Sequence, residues 1–95
     1  MANRRITYAS RKIVTDEGES CSLDYDLLVD ELESNDQILE NYGISIRFTG
    51  VCRKVYREVR GITFRSSEIG RILGLISSGC VFPEELEEVL ENILG

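Results

Sequence analysis

The spacing of apolar side chains changes near residue 65 of this chain, and that change most constrains the fold. Before it they recur in twos; after it they recur in threes and fours. A period of two belongs to a half-buried strand and a period near 3.6 to an amphipathic helix. The chain therefore reads as a sheet followed by helices, an α+β order.

The sheet region, residues 4–60, divides into about four strands. Residues 4–14 carry Ile6, Tyr8, Ile13 and Val14 among polar neighbours, and the "TDEG" at 15–18 is a turn signal with Gly18 free to take positive φ. In 21–31, Cys21, Leu23, Tyr25, Leu27 and Val29 alternate with Ser22, Asp24, Asp26 and Asp30, with Leu28 the exception. These two segments predict a hairpin. A helix competes over 26–33, because Leu28 and Leu32 are four apart. "ESND" at 33–36 is a second break. Tyr42, Ile44, Ile46 and Phe48 then alternate with Gly43, Ser45 and Arg47, and "TG" at 49–50 turns the chain back. Residues 51–60 admit two readings. Val51, Val55 and Val59 have helical spacing, yet valine and tyrosine favour strands and Gly50 and Gly61 bound the segment. The strand reading is adopted, with the helix left open.

Two helices are expected at 67–78 and 83–94. Ile69, Ile72, Leu73 and Ile76 form one stripe, and Leu86, Val89, Leu90 and Ile93 repeat it. Ser66 or Ser67 suits the first N-cap, Glu68 the first turn, and Gly79 the position just past the C-terminus. Pro83 suits the first turn of the second helix. Only "GCVF", 79–82, separates them, so an antiparallel αα-hairpin on one sheet face is expected. Gly70 and Gly74 share one helix face, as close approach of a strand or a partner helix would require.

A chain of 95 residues supports one core, so residues 1–95 are expected to form a single domain. The chain has no histidine, which removes the commonest general base and metal ligand together with every Ser-His and Cys-His pairing. Cys21, Cys52 and Cys80 lie 31 and 28 residues apart with no CxxC, which fits free thiols in a reducing compartment rather than zinc ligands or a disulfide framework. Asp24, Asp26 and Asp30 share a strand face and are expected to be solvated. "DYDLLVDELE" lacks the glycine and spacing of a calcium loop, and Gly70, Gly74 and Gly79 make no phosphate loop. No catalytic residue, cofactor or metal site is expected. "MANRRITYAS" has two arginines but no apolar stretch behind them, and the longest apolar run, "ILGLI", is far short of the roughly twenty residues of a membrane span. A cytoplasmic protein is expected.

The net charge is −6, yet "RKVYREVRGITFR" at 53–65 holds five cations and one acid. Residues 47–71 carry Arg47, Arg53, Lys54, Arg57, Arg60, Arg65 and Arg71 against Glu58 and Glu68, a net of +5, while the remainder carries −11. Three readings compete. The cations can face Glu84, Glu85, Glu87, Glu88 and Glu91 of the last helix. They can meet an acidic protein partner, or a second copy of this chain. They can also bind phosphates, with Tyr56 or Phe64 stacking on bases, although Phe64 is expected to face the core. The negative field around the segment and the lack of any nucleic-acid-binding signature disfavour the third. Arg53, Lys54, Arg57, Arg60 and Arg65 are the candidate interaction surface.

"YGISI" at 42–46, "VRGITF" at 59–64, a helix opening on "SSE", and "VFPEELEEVLENIL" at 81–94 resemble a family of small proteins of unknown function from clostridia and related Firmicutes. Where that family often has a histidine after the proline this chain has Glu84 and Glu85, and Gly61 to Thr63 replace its Asp before Ile-Ser. The resemblance implies the same element order and a bacterial origin, and adds no catalytic residue. The sequence thus predicts a non-enzymatic interaction or regulatory module, with a nucleic-acid-binding accessory protein as the alternative.

Overall fold

The computed structural model describes residues 2–95. Four long strands, β1 (Asn3–Val14), β2 (Ser20–Ser34), β3 (Gln37–Thr49) and β4 (Lys54–Thr63), precede α1 (Ser66–Ser78), a single 3₁₀ turn at Pro83–Glu85 and α2 (Leu86–Leu94). The sheet is an antiparallel meander in the order β1-β2-β3-β4, so β1 and β4 are its edges. The fold is α+β, with the helical hairpin on one sheet face.

Cross-strand register explains the core. Tyr25 lies opposite Ile46, Leu23 opposite Phe48 and Leu27 opposite Ile44. These residues share the helix-facing side and pack against Ile69, Ile72, Leu73, Ile76, Leu86 and Leu90. Both open choices resolve as strand. β2 runs unbroken through 26–33 and β4 begins at Lys54, while Val51 lies in the preceding loop and is exposed. The helical spacing of Leu28 and Leu32 misleads because β2 is an inner strand: Leu28 and Val29 point to opposite faces and both are buried.

Several boundaries differ from the sequence reading. Strand structure continues through Ser34 and resumes at Gln37, leaving a two-residue turn in which Asn35 and Asp36 have φ of 50° and 63°. Positive φ at both central residues is the type I′ requirement for a tight hairpin. The break at "ESND" is thus the tip of the β2–β3 hairpin, but the flanking strands run right up to it as an arm, and the molecule has a longest dimension of 55 Å against 27 and 17 Å. Neither Ser66 nor Ser67 caps α1. Arg65 occupies the cap in extended conformation, and its amide donates to Thr63 Oγ1 at 3.1 Å. Gly79 is right-handed at φ −83°, and the left-handed position falls one residue later on Cys80, φ +51°. Pro83 opens the 3₁₀ turn rather than α2, where Glu85 Oε1 accepts the Phe82 amide at 3.1 Å. Phe64 is exposed rather than buried.

Tyr25 fixes the helical connection to the sheet. Its ring is fully buried and its hydroxyl donates to the Val81 carbonyl at 2.9 Å. Burial holds this phenol well above its usual pKa, so it stays a donor at all ordinary pH. Tyr25→Phe keeps the ring and strands the carbonyl. The expected cost is about 1–3 kcal/mol by denaturant titration, and a variant as stable as the parent would show that the bond contributes nothing.

Candidate interaction surface

Strand alternation divides the basic segment between two faces. Lys54, Tyr56 and Glu58 point to the sheet face without helices, because they pair in register with Thr49, Arg47 and Ser45 of β3, and Arg60, in the bulge beyond them, reaches Glu58 and Asp30 on that face. Arg57 lies opposite Ile46 and so belongs to the helix side, between Val55 and Val59. Arg53 precedes the strand and bonds Glu84 at 3.1 Å while lying over the Phe48 ring, 5.2 Å from its centroid. Arg65 sits beyond the strand at the start of α1. The five candidate residues thus form no single stripe. Among the described residues, Arg53 and Arg60 have carboxylate partners within 4 Å, whereas Lys54, Arg57 and Arg65 have none.

On the open face an ion and hydrogen-bond network crosses the sheet from edge to edge. Arg5 of β1 and Tyr56 of β4 meet over the two inner strands, the guanidinium donating to the phenol oxygen at 2.5 Å. Tyr56 donates to Glu58 Oε1 at 2.8 Å, and Arg60 holds Glu58 at 2.5 Å and Asp30 at 2.8 Å. These bonds have matching consequences for protonation. The Tyr56 hydroxyl and the Arg60 guanidinium beside it hold Glu58 below the usual carboxylate range. Partial burial, with the neighbouring Glu58, raises Tyr56. Arg5 and Arg47 also lie over the Tyr56 ring, 5.3 and 5.8 Å from its centroid.

Asp24, Asp26 and Asp30 do share this face, as their alternation implies, but Asp26 is not solvated: it is 3% exposed, with Arg5 Nε 3.9 Å from its carboxylate. Opposite it, Ser45 Oγ is buried without a hydrogen-bond partner among the described residues. Among the described residues no group of three or more Cys, Asp or Glu side chains could hold a metal ion. Cys21 is buried, Cys80 half-buried and Cys52 exposed, all as free thiols.

The basic segment was only half of the cationic pattern. β1 carries Arg4, Arg5, Arg11 and Lys12 and no acid, and β4 carries three cations and one acid. The inner strand β2 carries five acids and no cation. Counting charge strand by strand reveals this; counting it along the chain does not. Two like-charged edges repel second copies of themselves, which protects an open sheet from edge-to-edge aggregation.

The helix side of β4 has a different character. Between β4 and α2 runs an open groove of about 640 Å³ lined by Val59, Ile62, Leu90 and Leu94, with Arg60 on its strand wall and Glu87 and Glu91 on its helical wall. A bulge shapes it: Ile44 pairs with Val59 but Tyr42 pairs with Thr63, so three residues of β4 oppose Gly43 alone. Gly61, at φ +69°, makes the turn, and Ile62 swings back to the helix side.

The family model for a family of unknown function (DUF6514) matches residues 4–95. The chain belongs to that family. No curated protein and no solved structure matches it. Membership covers both edge strands, the bulge and both helices, so every feature described above falls within the family's domain. Among the described residues no helix is long and apolar enough to cross a membrane.

Proposed function

We propose that this protein is a non-enzymatic interaction module of the bacterial cytoplasm, and that it meets a protein partner along β4. The observation that carries this reading is the state of that strand. β4 is an edge strand, and of the three cations it carries, Lys54 and Arg57 have no carboxylate partner among the described residues. Arginine suits protein interfaces because its planar fork pairs carboxylates and its stem covers apolar surface. A Firmicutes host accords with the resemblance of residues 42–94. Affinity capture from such a host, using the parent chain and Lys54→Glu/Arg57→Glu, tests the reading. A partner retained by the parent and lost by the variant is the expected result. Identical captures by both proteins would refute it.

Nucleic-acid binding is the competing reading, and Tyr56 among Arg5, Arg47 and Lys54 is the observation in its favour. Two guanidinium groups already cover that ring, and Asp24, Asp26, Asp30 and Glu58 share its face. Neutralising about five phosphates of duplex DNA would give a log–log salt slope near −4.5. No measurable binding is expected at physiological salt by fluorescence anisotropy. Micromolar affinity with that slope would reverse the ranking.

A further inference from the structure

We infer that the groove between β4 and α2 is a self-association surface, occupied by the same groove of a second copy about a two-fold axis. This rests on the reading that β4 is the interacting side, and it names the partner.

The groove combines an apolar centre with walls of opposite charge. Val59 and Ile62 are half-buried, and Leu94 is 49% exposed although it belongs to the helix that otherwise closes the core. On the helical wall stand Glu87 and Glu91, neither with a cationic partner among the described residues. On the strand side Arg57 lies just outside the lining, on the same face two residues from Val59, its guanidinium bonded among the described residues only to the Tyr56 carbonyl. No base occurs from residue 72 to 95, and Arg60, the cation that lines the strand wall of the groove, is already paired with Glu58 and Asp30.

A two-fold contact is isologous: each patch meets its own counterpart reversed. Reversal sets the basic strand side of one copy against the acidic helical wall of the other, twice, around a shared apolar centre. An apolar core within a charged rim is the usual anatomy of a specific interface. Direct continuation of the sheet by β4 on β4 is opposed, because it would align cations with cations. An acidic peptide would face the free glutamates, and a basic one the free Arg57. A second copy supplies both signs.

Sedimentation equilibrium of the full chain, from about 1 to 500 µM, tests the inference. The expected result is a monomer–dimer equilibrium. Leu94→Glu should raise its dissociation constant at least about tenfold without lowering the melting temperature of the monomer. Arg57→Glu and Glu87→Arg/Glu91→Arg should each weaken the homodimer. Mixing these two variants should restore association, because the hybrid recovers both charge-paired walls. A parent that stays monomeric throughout, or variants that dimerise as the parent does, would overturn the inference, as would a mixture of the two charge variants that associates no better than either alone. A monomer that still loses captured partners through Lys54→Glu/Arg57→Glu would overturn self-association alone. A monomer that captures nothing would overturn both readings.

Discussion

Leu90→Ala is expected to destabilise the protein by about 2–5 kcal/mol, the usual range for truncating a buried leucine. Leu90 is 4% exposed and belongs to the single cluster that joins α1, α2 and the inner strands. A domain of this size holds about 5–15 kcal/mol in all, so the loss removes a large share of it. The melting temperature should fall by about 10 °C or more. Leu90 also touches the β4–α2 groove, so concentration matters to the interpretation. The effect should persist at micromolar dilution, where association contributes nothing. Glu88→Ala, on the exposed side of the same helix, should shift stability by less than about 0.5 kcal/mol. A parent-like melt for Leu90→Ala would mean that α2 is not held by its own sheet.

Gly43→Ala and Gly70→Ala are expected to move stability in opposite directions. A β-carbon at Gly43 would overlap the Val59 carbonyl oxygen and come within 2.8 Å of the Arg60 Cα. Both are backbone atoms of the bulge, so no side chain can swing aside. Either the bulge flattens or β3 and β4 part, and the cost should approach about 3 kcal/mol, the upper end for overpacking. At Gly70 no atom beyond its chain neighbours and the helix's own backbone lies within 4 Å of the added carbon. There alanine replaces a flexible residue inside a helix and should gain about 0.5–1 kcal/mol. Urea titrations with unchanged m-values would measure both. A loss at both positions, or at neither, would contradict the described packing. Gly43→Ala should also weaken self-association, because the bulge delivers Ile62 to the groove.

These two glycines show where sequence reasoning reached and where it stopped. The shared face of Gly70 and Gly74 was legible from helical spacing. What fills it was not: Gly74 meets the Tyr8 hydroxyl at 3.5 Å, and Gly70 meets nothing. Alternation identified the core side of β3 through Tyr42, Ile44, Ile46 and Phe48, because one face there packs under helices and the other does not. It failed over Gln37–Asn41, where the arm projects and Ile38 and Leu39 are exposed, so no buried face imposes a pattern. Asp26 marks another limit. Its face was readable, but its burial depends on Arg5, which is distant in sequence and adjacent only through β1 pairing. Likewise the thirteen residues from Arg53 to Arg65 look like one cationic stripe only while the chain is read as a line. Folding into a strand sends Lys54 and Arg60 one way and Arg57 the other, and leaves Arg53 and Arg65 outside it. Of the three readings of that stripe, internal pairing with the last helical segment holds for Arg53 with Glu84. Arg60 instead finds its acids on the sheet, at Glu58 and Asp30.

The meander also governs how the molecule can assemble. Every strand pairs with its immediate predecessor, so no pairing must wait for a distant segment to arrive. Loop-closure entropy is then spent in short steps, beginning at the two-residue Asn35–Asp36 turn, where the ends to be joined are already neighbours. Sheet proteins usually fold slowly because their contacts span much of the chain, and this topology avoids most of that delay. The helical hairpin comes last in sequence and covers a sheet in which every pairing joins strands that are neighbours in the chain. Zippering can therefore run outward from one tight turn, with the apolar face waiting for its cover only as long as the final thirty residues take to collapse onto it.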